Sequence, residues 1–274
     1  MHTRQIADTL PAEFADALAR VGGRLGSIGS SVLFFRTIGS TNDVAARLAA
    51  DGDHSGAIVV ADEQTEGRGR RSRTWYSPPG RGLYVSIVLA PRHARADPAR
   101  ARRLLTLAAG VALSEAVQAC TGLSADLKWP NDLLIGRRKL SGILAEAVSA
   151  GAPDESIVLG YGINVGQSAY PPDLADRATS LELELGRPID RAALFADTIA
   201  AVARRYEDLL GGRFDAILDA WRGRAPGSQG ARVTWVTPAG LQAGVTAGID
   251  DQGALLVRTG DRLDRIVAGD VTWR

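Results

Sequence analysis

The sequence predicts an α+β fold, strands of one sheet with helices around them followed by a small β-barrel, and three observations carry that expectation. Apolar runs of strand length are accompanied by four stretches of helical spacing. The strand-like runs after residue 125 follow one another across short turns. Beyond a Pro/Gly-containing segment at 224–230 the pattern changes to short β-branched runs.

Taken in order, the first strand is expected at 32–36. Ser40-Thr41-Asn42-Asp43 then precedes the helical run 44–50 and reads as a capped helix start, because short polar side chains there can accept from the free N–H groups of the first turn. Residues 57–62 and 83–89 read as strands, the first nearly all apolar, as in a buried strand. Between them Gly67, Gly69, Pro78, Pro79, Gly80 and Gly82 predict a long loop. Helical spacing over 102–119 is followed by strands at 126–128, 133–135, 140–148 and 157–165, with turns at Pro130-Asn131-Asp132 and Gly136. Two more helices are expected at 191–210 and 214–222, and 224–230 reads as a linker. The expected domains are therefore 1–226 and 227–274. Strands at 232–236, 242–249, 254–258 and 265–268, separated by glycine turns, have the spacing of a small barrel.

With 274 residues, 45% hydrophobic and 23% charged, the chain can bury a sizeable core as a soluble globular protein. A net charge of +1 excludes a global drive toward nucleic acid or an anionic membrane, so any basic site must be local. No stretch is expected to reach the roughly 18 apolar residues of a membrane span, and the first residues lack the apolar run of a signal peptide, which points to the cytoplasm. Cys120 falls in an apolar helical pattern and reads as a structural thiol.

Glu66-Gly67-Arg68-Gly69-Arg70-Arg71-Ser72-Arg73-Thr74-Trp75 packs four arginines and two glycines between apolar strands. Its backbone can approach a ligand closely and its guanidinium groups suit phosphate. A solvated charge run or a nucleic-acid patch has the same composition. Downstream, Lys128-Trp129-Pro130-Asn131-Asp132 leads to Arg137-Arg138-Lys139-Leu140-Ser141-Gly142-Ile143-Leu144, with Lys139 at the entrance of an apolar strand, placed either to reach an anionic centre or merely to end a hairpin. No phosphate loop, nucleophile elbow or metal-ligand spacing is present, His2, His54 and His93 are scattered, and Gly160-Tyr161-Gly162 lacks the third glycine of a dinucleotide fingerprint.

Taken together, Ser40-Thr41-Asn42, Gln64 followed by 67–75, Lys128-Trp129-Pro130-Asn131-Asp132, Arg138-Lys139-Leu140-Ser141-Gly142-Ile143-Leu144 and Gly162-Ile163-Asn164-Val165 closely resemble biotin protein ligases in order and spacing. Gly253-Ala254-Leu255-Leu256 and Gly269-Asp270 resemble that family's C-terminal barrel. The resemblance implies a mixed sheet flanked by helices, related to the class II aminoacyl-tRNA synthetase core, and a terminal barrel of the Src-homology-3 type. It implies that Ser40, Thr41, Asn42, Gln64, Gly67, Arg68, Gly69, Arg70, Lys139 and Gly142 hold biotin or its activated carboxyl, with Lys139 and Arg70 catalytic. Arg71, Arg73, Trp75, Asn131, Asp132 and Asn164 match positions near the nucleotide; no metal ligands are assigned.

The implied chemistry joins two anions. A biotin carboxylate attacks the α-phosphorus of ATP and pyrophosphate leaves, with arginines, Lys139 and Mg²⁺ reducing the repulsion. The product, biotinoyl-adenylate, is a mixed anhydride that needs shelter from water until a lysine of a biotin carboxyl carrier protein domain, as in acetyl-CoA or acyl-CoA carboxylase, attacks the acyl carbon. Residues 66–75 are the candidate lid, expected to stay open and mobile when empty, and removal of 227–274 is expected to impair catalysis more than stability. The region ahead of Ser40 is shorter than the roughly 60 residues of a winged helix-turn-helix plus linker, so neither specific DNA nor membrane is an expected partner. Competing readings are a lipoate or octanoate ligase or transferase, of similar architecture, and a nucleic-acid-binding module using the arginine loop.

Overall fold

In the strands of this computed structural model, successive residues feed two separate apolar clusters, one on each face of a central sheet. The structure describes residues 6–148, 156–167, 170–238 and 240–273. The sheet has seven strands in the order β1 (Val32–Ile38), β2 (Ile58–Gln64), β3 (Gly82–Leu89), β7 (Ser156–Asn164), β6 (Arg138–Val148), β5 (Asp132–Ile135) and β4 (Asp126–Lys128). Only β1 and β2 run parallel, so the sheet is mixed, and α2 (Thr41–Asp51) makes the crossover a parallel pair requires.

The helices α1 (Ala12–Val21), α3 (Pro98–Thr121), α5 (Arg191–Leu210) and α6 (Phe214–Arg222) pack on one face of the sheet, and α2 lies on the other. Strand alternation sorts the side chains: Ile58 and Val60 enter the first cluster, Val59 and Ala61 the second. The α1 helix escaped the sequence reading although Phe14, Ala17, Leu18 and Val21 mark its buried stripe at helical spacing. A short α4 (Leu181–Leu185) was also missed.

The α3 helix starts earlier than expected because Asp97 accepts from Arg100 N at 2.8 Å and Pro98 suits the first turn; it stops at Gly122, whose φ is 79°. Contrary to the sequence expectation, its 24 residues are long and apolar enough to cross a membrane. Its apolar side chains are spent on the core instead, with Leu104, Leu105, Val111 and Leu113 almost fully buried.

The expected small C-terminal barrel is formed by a second, five-stranded antiparallel sheet, in the order β11 (Arg262–Ile266), β10 (Leu255–Thr259), β9 (Gly240–Ile249), β8 (Gln229–Thr237) and β12 (Val271–Trp273). The strand expected at 265–268 begins at Arg262 instead, since Gly260-Asp261 alone turns the β10–β11 hairpin, and the unexpected β12 pairs with β8. The segment read as a linker is packed against the first sheet: Pro226–Ser228 is a 3₁₀ turn, Ala225 and Ser228 are buried, and Arg224 O accepts from Leu127 N at 2.7 Å. One apolar cluster runs from α3 into the second sheet, taking in Leu104, Leu107, Trp235, Leu255 and Val257, and Trp129 Nε1 donates to Gly253 O at 3.0 Å.

Candidate active site

On the α2 side of the sheet, β3, β7 and β6 present small residues where large apolar ones would stand. Gly160 is paired with Ser86 and Gly162 with Gly142. This lets side chains from α2 and the arginine loop settle on strand backbone. A Cβ at Gly160 would lie 2.8 Å from Asn42 Cγ and nearer still to its Oδ1; one at Gly162 would lie 2.6 Å from Trp75 Cε2, and one at Gly142 3.0 Å from Trp75 Cζ3. Gly160-Tyr161-Gly162 is thus a close-packed strand, as its incomplete fingerprint suggested.

At one end of this floor lies a buried polar cluster. Thr41 donates twice to Gln64 Oε1, from N at 2.9 Å and Oγ1 at 3.0 Å, while Gln64 Nε2 donates to Ser77 Oγ at 2.9 Å. Ser86 Oγ lies 2.6 Å from Asn42 Oδ1 and 2.8 Å from Thr41 Oγ1. Asn42 Nδ2 donates to Glu146 Oε2 at 2.7 Å, and Arg68 bridges Glu146 and Asp43 at 3.2 and 2.5 Å. Ser40 heads α2 as expected, but its side chain makes no cap hydrogen bond; Gln64 satisfies the first free N–H instead.

The other end is cationic. Lys139 Nζ stands 2.6 Å from Asp132 Oδ1 and 5.4 Å from the centre of the Trp75 ring. Arg70 Nη1 donates to Asn131 Oδ1 at 3.2 Å, and Asn131 is fixed by Nδ2 donating to Ile143 O at 2.8 Å. Burial lowers the Arg70 pKa, with Arg71 and Arg73 adding to the effect and Asp270 and Asp132 opposing it. Lys128 is likewise lowered, first by burial and then by Lys139, Arg177 and Arg73, against Asp132. Trp75 Nε1 and Asp132 Oδ1 are buried polar atoms without a hydrogen-bond partner among the described residues, Lys139 meeting Asp132 at ion-pair distance but outside hydrogen-bond geometry.

Asn164 does something other than face a ligand with its amide nitrogen. Its Nδ2 donates to Thr179 O at 2.9 Å and to Lys139 O at 3.4 Å, while Lys139 N donates to Arg177 O at 2.7 Å. The backbone of Lys139 is thereby held between β7 and the segment 177–179.

The arginine loop folds as a tight hairpin. Trp75 N donates to Gly67 O at 2.8 Å and Gly69 N to Arg73 O at 2.7 Å, with a 3₁₀ turn at Arg70–Ser72 between. Arg71 and Ser72 take φ of 56° and 58°, a strained conformation for side chains with a Cβ. The repulsion between arginines is answered by carboxylates from elsewhere: Arg73 Nη2 and Arg71 Nη1 lie 2.6 and 3.5 Å from Asp270 Oδ2 in the second sheet. Sequence reasoning missed Ser77, Ser86, Glu146 and Asp43; the one legible signal was Ser86, a polar residue inside a wholly buried apolar strand.

The structure therefore brings together Thr41, Asn42, Gln64 and Arg68 at one end, Arg70, Asn131, Asp132 and Lys139 at the other, and Trp75 over Gly142 and Gly162 between them. It places Arg71 and Arg73 at the margin, against the second sheet.

Comparison with known proteins gives two family matches, the biotin/lipoate A/B protein ligase family over residues 34–164 and the biotin protein ligase C terminal domain over residues 241–273. The chain is 35% identical over 263 residues to the bifunctional ligase/repressor BirA of Bacillus spizizenii, covering 95% of this chain and 79% of that one. It is 34% identical over 249 residues to the biotin–[acetyl-CoA-carboxylase] ligase of Mycobacterium tuberculosis, covering 85% of each. Among solved structures, the biotin protein ligase of Aquifex aeolicus in complex with biotin and ATP superposes with a TM-score of 0.75 at 28% identity, over 89% of this chain and 99% of that one.

Proposed function

From the premise that this chain belongs to the biotin/lipoate A/B protein ligase family, as a biotin protein ligase, we propose that its cleft activates biotin with ATP and passes the acyl group to a carrier lysine. The observation that carries this reading is the glycine floor roofed by Trp75, with a neutral hydrogen-bonding cluster at one end and the Lys139–Asp132 and Arg70–Asn131 pairs at the other. Such a slot suits a molecule with an uncharged polar head, an apolar tail and a terminal carboxylate.

In this reading Ser40, Thr41, Asn42 and Gln64, with Gly67, Arg68 and Gly69 beside them, receive the ureido head. Thr41 and Gln64 are already aligned by their mutual bonds, which lowers the ordering cost of binding. The tail runs between the two ends past the Trp75 ring, which itself covers Gly142 and Gly162. Lys139 and Arg70 meet the carboxylate and the α-phosphate, Arg70 and Asn131 oriented by each other and Lys139 by the clamp that Asn164 and residues 177–179 make on its backbone. A carboxylate oxygen attacks the α-phosphorus, the bond to the β-phosphate oxygen breaks, and pyrophosphate leaves with the bonding pair. The two cations stabilise negative charge that is brought together in the transition state and is apart in the separated reactants. Trp75, Arg71, Arg73, Asp132 and Asn131 border the nucleotide side. In the second step the carrier lysine, as a free amine, attacks the acyl carbon; an amide forms, AMP leaves, and the ammonium proton is released.

A Mg²⁺ would come with the nucleotide. Asp132 Oδ1 is already met by Lys139 Nζ at 2.6 Å, and among the described residues no three His, Cys, Asp or Glu side chains cluster to hold an ion. The substrate phosphates and water would therefore supply its shell, and the ion would supply neutralising charge to the phosphates. The carrier is a biotin carboxyl carrier domain of an acetyl-CoA or acyl-CoA carboxylase, met in the cytoplasm. Residues 1–226 are the catalytic unit and 227–274 a C-terminal domain fused to it by a shared core. Lipoate or octanoate transfer is not favoured, since the named relatives are biotin ligases. Nucleic-acid binding is weakened by the engagement of Arg68, Arg71 and Arg73 with carboxylates.

The test is incubation of the chain with ATP, Mg²⁺, biotin and a carrier domain, read by intact mass. Biotinyl-lysine on the carrier is the expected product; acceptance of lipoate with no biotin product overturns the reading.

A further inference from the structure

The ladder between β6 and β7 runs from the Val148–Ser156 pair to the Ser141–Ile163 pair and ends two residues short of Lys139. On one side Lys139 still has β5, opposite Leu134; on the other its backbone needs a new neighbour. Residues 177–179 supply it. Lys139 N donates to Arg177 O at 2.7 Å and Thr179 N to Lys139 O at 3.0 Å, a single parallel rung with Ala178 opposite Lys139. So short a rung is a weak hold by itself, and what ties the strip down decides how firmly Lys139 sits.

The tie is one carboxylate. Glu184 Oε1, on α4, accepts from the Thr179 hydroxyl and from Arg138 Nη2, the latter at 2.8 Å. Thr179 belongs to the strip, and Arg138 is the residue of β6 next to Lys139, so one oxygen pins both partners of the rung. The Glu184 side chain is only 16% exposed and Thr179 is fully buried, so water competes little for the bond between them. Leu181, fully buried, anchors α4 in the main core without help from that carboxylate.

We infer that Glu184 is a positioning residue for adenylation, acting through Thr179 and Arg138 on the backbone of Lys139. The inference rests on the ligase reading above and extends it to a residue outside the cleft. A lysine has a long flexible stem, so the place of its ammonium depends on the backbone that carries it and on its partner, here Asp132 Oδ1 at 2.6 Å. With the strip released, the start of β6 loses one of its two neighbours and the ammonium spreads over a larger volume. Stabilisation of developing charge requires a cation already in place, so the loss falls on the rate of the chemical step. A carboxylate suits the task because charge-assisted hydrogen bonds are roughly twice as strong as neutral ones.

The test measures single-turnover formation of biotinoyl-adenylate, biotin affinity and hydrogen exchange on the full chain. Glu184→Ala should slow adenylate formation about tenfold. Biotin affinity should stay within about twofold, since the bonds of Thr41, Asn42 and Gln64 involve neither α4 nor the strip. Glu184→Gln keeps an acceptor oxygen and should retain at least about a third of the rate. In a Lys139→Ala background Glu184→Ala should cost nothing further, which a general loosening of the fold would not reproduce. Without ligand, the Lys139 and Thr179 amides should exchange at least about tenfold faster in Glu184→Ala. A native rate in that variant, an equal loss in the Lys139→Ala background, or unchanged exchange at both amides overturns the inference. Should Glu184→Ala fail to melt cooperatively, Arg138→Met takes its place, with a loss of about threefold expected and a native rate overturning the inference. A wild-type chain that forms no biotinoyl-adenylate overturns the ligase reading instead, and the exchange measurement still decides whether Glu184 holds Lys139.

Discussion

Adding one methyl group at Gly160 tests how the floor of the cleft works. In Gly160→Ala the new Cβ would stand 2.8 Å from Asn42 Cγ, inside the 3.4 Å at which ordinary contact begins, and closer to Oδ1. The amide is the end of a flexible side chain, so the clash is relieved by swinging it away. That swing abandons the bonds to Ser86 Oγ and Glu146 Oε2. Ser86 is fully buried and keeps Thr41 Oγ1 at 2.8 Å as a partner. The loss is therefore a buried hydrogen bond, about 0.5–1.5 kcal/mol, and forcing volume into a packed contact costs about 1–3 kcal/mol more. The sum, roughly 1.5–4.5 kcal/mol, should lower Tm by about 3–18 °C for a chain of this size. Because Asn42 adjoins Thr41, the polar cluster shifts too, and biotin affinity should fall by at least about tenfold. Gly22→Ala is the control: a Cβ there meets nothing within 4 Å, and the change should stay within about 0.5 kcal/mol. Differential scanning calorimetry and biotin titration read both variants. A Gly160→Ala protein with native Tm and native biotin affinity would refute the role assigned to the close packing.

Lys139→Ala should reduce pyrophosphate release by about 10²–10³-fold while circular dichroism stays unchanged, because a preorganised cation at the developing charge is lost; native rates would make Lys139 a surface lysine. Burial, and then its hydrogen bond to Asp197, push the Cys120 thiol from 9.0 up to about 12. The folded chain therefore keeps that proton where the unfolded one has lost it. Its stabilisation is whole below about pH 9 and is lost as pH rises toward 12, and Cys120→Ala should flatten this limb of a pH–stability curve. Thiol reagents at pH 8 should leave the native protein unmodified and label it on unfolding; rapid native labelling counts against a structural thiol. Removal of residues 227–274 should lower Tm sharply or prevent folding, since it uncovers Leu104 and Leu107 where Gly253 packs on them. This reverses the sequence expectation of a mainly catalytic effect, and a stable but inactive truncated chain would restore it.

The elements legible in sequence were those whose signal is local. The buried strands β2, β3 and β7 are apolar runs bounded by turn residues, α5 starts at the capping Asp190, and Ser40-Thr41-Asn42 marks the start of α2 because polar residues meet a helical run there. Gly142, Gly160 and Gly162 could be seen as places for close approach. What approaches them could not, for Asn42 and Trp75 reach those strands from 118 and 87 residues away, as the difference of their numbers shows. The same limit hid Glu146 under Arg68 and Asp270 beside Arg71 and Arg73. Sequence by itself determined the local elements in which the candidate site residues sit, because propensity, periodicity and capping act over a few residues. The tertiary structure alone decided which charge answers which, because strand register and the docking of the second sheet are set by long-range packing, and an ion pair depends on a few ångströms that no local pattern encodes.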